Sequence, residues 1–137
     1  MAFSAAPLAT IIATFSALVL VRGGNFKAKE VSNGLITLPL MVPEIVTAVA
    51  TLIFFATLGI NLGLTNVIIA HTVFCIPFAY MPIKAALEAM DPNLELAGRD
   101  LYSDKTSAFR TITLPLLAPG IVSGIMLAFV ISIDDFI

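Results

Sequence analysis

The groups able to do chemistry are few in this chain, and the most telling one sits where charge is costly. Glu44 lies about nine residues into an apolar stretch spanning residues 35–60, roughly 14 Å deep at helical rise. A carboxylate at that depth is expensive unless it faces water or a partner. It either lines a path and attracts a cationic solute, or it makes a structural hydrogen bond to a neighbouring helix. Asp134 and Asp135 close the last apolar stretch. There they either draw a cation toward the mouth of such a path or form an ordinary hydrated helix end. His71, the one histidine, and Cys75, the one cysteine, read as packing residues inside apolar runs. The sequence has no GxxxxGK[ST] phosphate loop and no nucleophile–base set. It offers no Cys/His cluster for a metal and no sign of a cofactor site.

These side chains must be positioned by elements embedded in lipid. Hydrophobic residues make up 59% of the 137 and charged residues 12%, about half the share a soluble domain carries. Such a chain cannot build a polar shell, so its solvent is the bilayer. The length fits one unit, residues 1–137, and a net charge of -2 excludes an electrostatic nucleic-acid binder. A bilayer core of about 30 Å needs roughly 20 apolar residues as a helix. Four stretches qualify, at residues 2–21, 35–60, 64–83 and 112–133. Bare backbone is not tolerated in lipid, so each is expected to be helical, giving an all-α polytopic membrane protein. No Lys or Arg precedes the first run, which is too long for the core of a secretory signal.

The basic residues set the orientation. All seven fall between spans one and two (Arg22, Lys27, Lys29) or between spans three and four (Lys84, Arg99, Lys105, Arg110). Two crossings separate these regions, so segments 22–34 and 84–111 share a side, which the positive-inside rule makes cytoplasmic. The N-terminus and Asp134 then face outward. Prolines recur within the spans at positions 39, 43, 77, 82, 115 and 119 and are expected to bend or break helices. Gly120 and Gly124 form a GxxxG on span four, suited either to local packing or to a subunit interface.

The loop after span three has internal structure. Asp91 is placed to cap a helix that starts at Pro92. From there Leu94, Ala97, Gly98 and Leu101 fall on one face, and Glu95, Arg99 and Asp100 lie elsewhere. A helix of about three turns is marginal alone and needs a surface to dock on. The lipid interface is one such surface, although the balanced charge argues against it. Ser103 is placed to cap a second segment, from which Phe109 and Ile112 lead into span four.

The wording of this loop, LELAGRDLYSDKTSAFRTITLPLLAPG, resembles the cytoplasmic signature of binding-protein-dependent ABC permeases. That pattern runs Glu-Ala-Ala, three residues, Gly, nine residues, Ile, one residue, Leu-Pro. Ala97, Ile112, Leu114 and Pro115 match it. Leu96 replaces the Glu, Gly98 the second Ala and Tyr102 the Gly, while Glu95 stands one place early. The segments LPLMVPEIVTAVATLIFFATLGINLG, AHTVFCIPFAY and LAFVISIDDFI are similar to the spermidine/putrescine type of this family. The resemblance implies a type I importer fold with a further helix before span one and another after span four. It implies that residues 91–104 form the coupling helix, with Leu94, Glu95, Leu96, Ala97, Gly98, Arg99, Asp100, Leu101 and Tyr102 meeting an ABC ATPase subunit. Further implied partners are a second permease subunit and a periplasmic solute-binding protein. The implied function is ATP-driven import of a small solute such as a polyamine across the inner membrane, with Glu44, Asp134 and Asp135 along the path. Glu44 and the broken helices equally permit an ATP-independent channel or secondary carrier, and a permease fragment that never assembles is a further alternative.

Overall fold

The computed structural model describes the chain except residues 26, 62, 103 and 135–137 and the side chain of Tyr102. The described residues form helices and short turns. In order these are α1 (Ala2–Arg22), α2 (Lys29–Thr37), a 3₁₀ turn (Leu38–Met41), α3 (Glu44–Thr57) and α4 (Leu64–Ala89). After them come α5 (Pro92–Tyr102), α6 (Lys105–Ala108), a π-helical turn (Phe109–Thr113) and α7 (Leu114–Asp134).

Three of these elements build the core. α1, α4 and α7 pack on one another along stripes of small residues. On α1, Ala5, Ala9, Ala13 and Ala17 recur every fourth position and are fully buried. On α7 the stripe is Gly120, Gly124, Ala128 and Ser132, so the GxxxG is the first half of a longer seam. It packs within the chain. A Cβ on Gly120 would lie 2.6 Å from Ala86 Cβ, and one on Gly124 would lie 2.9 Å from the Ala79 carbonyl oxygen, both on α4. Small residues at helical spacing let backbones approach where lipid supplies no hydrophobic drive.

The distribution of polarity is inverted relative to a soluble bundle. Thr10, His71, Thr72 and Ser132 are buried, whereas Phe3, Phe15, Ile45 and Met126 are exposed. Such a surface belongs in hydrocarbon. The buried polar groups are satisfied locally: Thr10 Oγ1 donates to the Ala6 carbonyl and Thr72 Oγ1 to the Ile68 carbonyl, each at 2.7 Å. Ser132 Oγ and His71 Nδ1 share a hydrogen bond of 3.2 Å between α7 and α4. Cys75 Sγ, also on α4, donates to the Ala128 carbonyl at 3.5 Å. His71 and Cys75 thus link α4 to α7.

The expected second span is not one helix. Lys29–Met41 and Glu44–Thr57 meet at 106°. The break falls at Pro43, which has no N–H to give to the Leu40 carbonyl, while Pro39 lies at the start of the 3₁₀ turn that precedes it. Val42 N instead closes the 3₁₀ turn on the Pro39 carbonyl at 3.2 Å. Pro77 and Pro82 lie inside a continuous α4, so those two do not break their span. α4 also outruns the expected end at residue 83. Its 26 residues reach about 39 Å, longer than the hydrocarbon, and its last turns carry Lys84 and Glu88 into water. The fourth span likewise starts earlier, within a continuous helical run at Lys105–Asp134.

Candidate functional site

Two regions carry the groups singled out above. The first is the α5 elbow. Its start is as expected: Asp91 Oδ1 accepts from Asn93 N at 2.9 Å, and Pro92 opens the helix. The second cap is Asp104, which accepts from Thr106 N at 3.3 Å; Ser103 lies outside the described residues. Among the expected face residues, Gly98 is buried, while Leu94 and Leu101 are 47% and 78% exposed and Ala97 and Leu96 are exposed too. The apolar side chains of α5 therefore point away from this chain's own helices. Arg99 and Asp100 are exposed as well, and the Tyr102 side chain lies outside the described set.

Two contacts hold α5. Gly98 sits directly on Ile112, whose Cδ1 occupies the space a Cβ would need. Ile112 belongs to the π-helical turn, closed by Leu114 N donating to the Phe109 carbonyl five residues back. Pro115, with no N–H, follows that turn and helps displace the ladder from its i−4 register. The other contact is ionic. Glu95 does not stand free with Arg99 and Asp100; its Oε1 lies 3.1 Å from Arg22 Nε, and the two side chains are only 18% and 24% exposed. Both atoms are shielded from solvent and the N–H is not aimed at the oxygen, so charge attraction rather than an aligned hydrogen bond joins them. Arg22 Nη2 also donates to the Leu87 carbonyl at 3.1 Å.

At the same end, Arg22, Lys29, Glu30, Asn33, Tyr80, Lys84 and Glu88 line a polar cavity of about 540 Å³. Asn33 Oδ1 accepts from Tyr80 Oη at 2.8 Å and from Lys84 Nζ at 3.0 Å, fastening α2 to α4. Segments 22–34 and 84–111 thus converge on one end of the bundle, as their shared basic charge requires. The opposite end gathers Phe3 and Phe129, whose ring centroids are 5.0 Å apart, with the α7 terminus at Asp134.

The second region surrounds Glu44. Glu44 is the first residue of α3 and not a mid-helix residue as the unbroken stretch suggested. The 14 residues of α3 put it about 20 Å from the far end of that helix. The first-turn N–H groups of α3 lack helical acceptors, and a carboxylate there is favoured by the helix dipole. That lowers the cost of its burial in lipid. A cavity of about 350 Å³ separates α3 from α4. Glu44, Thr47 and Thr51 line it from α3 with Leu52 and Phe55; Asn66, His71 and Phe74 face them. No residue of α3 is buried, so this wall is held more loosely than the α1, α4 and α7 core. Asp134 is exposed and is not among the residues that line the cavity, and Asp135 lies outside the described residues. Among the described residues, no group of acidic, His or Cys side chains is arranged to hold a metal.

Sequence reasoning missed the Arg22–Glu95 pair and the Asn33 clasp. Arg22 counted only as a marker of sidedness, and nothing local joins it to Glu95.

Comparison with known proteins decides the family. The model for binding-protein-dependent transport system inner membrane components matches residues 6–137. The chain belongs to this family. It is 38% identical over 136 residues to the spermidine/putrescine transport system permease protein PotC of Haemophilus influenzae, covering 99% of this chain and 52% of that protein. It is 34% identical over 139 residues to the putrescine transport system permease protein PotI of Escherichia coli K12, covering 97% and 50%. Against PotC of the same strain it is 34% identical over 137 residues, covering 100% and 52%. The chain thus spans about half the length of the curated relatives it matches. As a member of this family it is an inner-membrane component of a binding-protein-dependent transport system.

Proposed function

We propose that the chain is the membrane part of an ATP-driven importer for a polyamine, with ATP hydrolysed on a separate ABC ATPase subunit. The observation that carries the coupling half is α5. It stands at the basic end, held from one side by Ile112 and Arg22, with Leu94, Ala97 and Leu101 unpartnered on the other. In this reading α5, within residues 91–104, is the coupling helix, and those three residues seat in a cleft of the ATPase. Arg99 and Asp100 set its orientation through polar contacts. A second permease subunit and a periplasmic solute-binding protein complete the assembly.

The polyamine half draws on the relatives' names and on the cavity beside α3. A polyamine alternates ammonium groups with short alkyl runs. Glu44 offers one carboxylate, and Leu52, Phe55 and Phe74 offer apolar wall. The path stays weakly attractive, because one partly dipole-compensated charge does not trap a polycation. Asp134 and Asp135 add attraction at the outer mouth.

The test is uptake of labelled spermidine into vesicles holding the permease, its ATPase and the binding protein. ATP-dependent uptake, with the ATPase retained on co-purification, is the expected result. Uptake driven by an ion gradient without nucleotide would instead establish a secondary carrier, a reading the split Lys29–Thr57 segment also accommodates.

A further inference from the structure

We infer that Arg22 and Glu95 form the strut through which movement of α5 reaches the membrane helices, an inference that rests on the coupling-helix reading above. The pair joins elements far apart in sequence at a point where three helix ends meet. Arg22 is the last residue of α1, Leu87 lies in the last turn of α4, and Glu95 lies in the first turn of α5. A cation at two helix C-termini and an anion at a helix N-terminus each complement the local dipole. The guanidinium is forked, so Nε meets the Glu95 carboxylate at 3.1 Å while Nη2 meets the Leu87 carbonyl at 3.1 Å. A lysine's single ammonium does not hold both directions at once.

The alternative route from α5 into the membrane runs through Gly98 and Ile112 into α7. That contact is apolar and abutting, so it transmits a push well and a pull poorly. The ion pair resists separation, because drawing Glu95 away leaves a charge on each side largely shielded from water. Together the two contacts tie α5 to all three core helices. Arg22 and Glu95 are positioning residues: they touch neither the solute nor nucleotide, and they leave the exposed face of α5 untouched.

The experiment uses the full-length permease in inside-out membrane vesicles, with and without its ATPase. Without the ATPase, trypsin cleavage at Arg99 and Lys105 reports how firmly α5 is held. Glu95→Gln and Arg22→Met are each expected to raise cleavage about tenfold, and the double variant no further, because both remove the same link. Arg22→Lys is expected to fall between, keeping the charge and losing one prong. With the ATPase, the same variants are expected to co-purify with it normally but to transport severalfold less solute per ATP hydrolysed. Unchanged cleavage, unchanged transport per ATP, or single effects that simply add would each overturn the strut. If the wild-type permease retains no ATPase, the coupling-helix reading fails and the transmission role falls with it. The tryptic pattern then still decides whether the pair anchors α5.

Discussion

The α4–α7 seam makes a quantitative prediction because its tightest point is a glycine facing an alanine. Replacing Gly120 with Ala puts a methyl carbon 2.6 Å from Ala86 Cβ and 3.2 Å from the Pro82 carbonyl oxygen. Ordinary carbon contacts lie at about 3.5–4.0 Å, so the helices must part by roughly an ångström at that level. Neither obstacle is the end of a flexible side chain that can swing aside. Overpacking of this kind costs about 1–3 kcal/mol. Taking ~2 kcal/mol, opening of the seam becomes roughly thirtyfold more frequent. Cys75 provides the readout. It is the chain's one cysteine, fully buried on α4 with its thiol on the Ala128 carbonyl of α7. A thiol-reactive dye added to the protein in detergent should therefore label Gly120→Ala about thirty times faster than wild type. Ala86→Gly in the same chain removes the colliding carbon, and the helix-propensity changes of the two substitutions nearly cancel. The double variant should label at close to the wild-type rate, with a small residue from the Pro82 carbonyl. If Gly120→Ala leaves the Cys75 rate unchanged, or Ala86→Gly brings no recovery, the seam is not where the helices are held.

Three further outcomes are expected. Ala97→Asp, at an exposed position, should leave the chain folded yet weaken ATPase binding by at least about thirtyfold, ~2 kcal/mol, because a docked apolar face then holds an unpaired charge; co-purification measures it. Glu44→Gln should raise the half-saturating spermidine concentration about two- to fivefold with little change in maximal uptake, the scale of one solvent-screened ion pair. Gly98→Ala should be tolerated to within ~0.5 kcal/mol of thermal stability, because an off-rotamer Ile112 costs about as much as the helix gains from losing a glycine, whereas Gly98→Leu should dislodge α5 and expose Arg99 to trypsin.

The parts of the molecule written in local pattern were legible in the sequence. Long apolar runs mark the helices, because a helix satisfies its own backbone hydrogen bonds in lipid. Asp91 before Pro92 fixes the start of α5. The two clusters of basic residues do converge on one end, so charge placement carried topological information. The split of the second span was only half legible. Seven prolines in apolar runs were visible, yet the span breaks at Pro43 while Pro7 rides inside α1 and Pro77 and Pro82 inside α4. The difference lies in tertiary support: α4 is packed on both sides by α1 and α7, whereas α3 has no buried residue to hold it in line with α2. The departures from the family's loop pattern were visible but not interpretable alone. Gly98 became intelligible once Ile112 was seen to occupy the missing methyl's place.

That contrast in support bears on how such a chain would work. The core of α1, α4 and α7 is closely packed along small-residue seams, so its helices are expected to move together more readily than apart. The α3 wall faces α4 across a cavity and is jointed at Val42–Pro43, where no helical hydrogen bond crosses from the 3₁₀ turn to α3. If α5 is the coupling helix, a displacement delivered there would pass through Arg22 and Ile112 into the packed core. The loosely held α3 wall beside the Glu44 cavity is then a place where the chain can yield. In the proposed reading, a lever fixed to the packed part and a solute path beside the looser part would together convert a push at the inner surface into a change of access within the membrane.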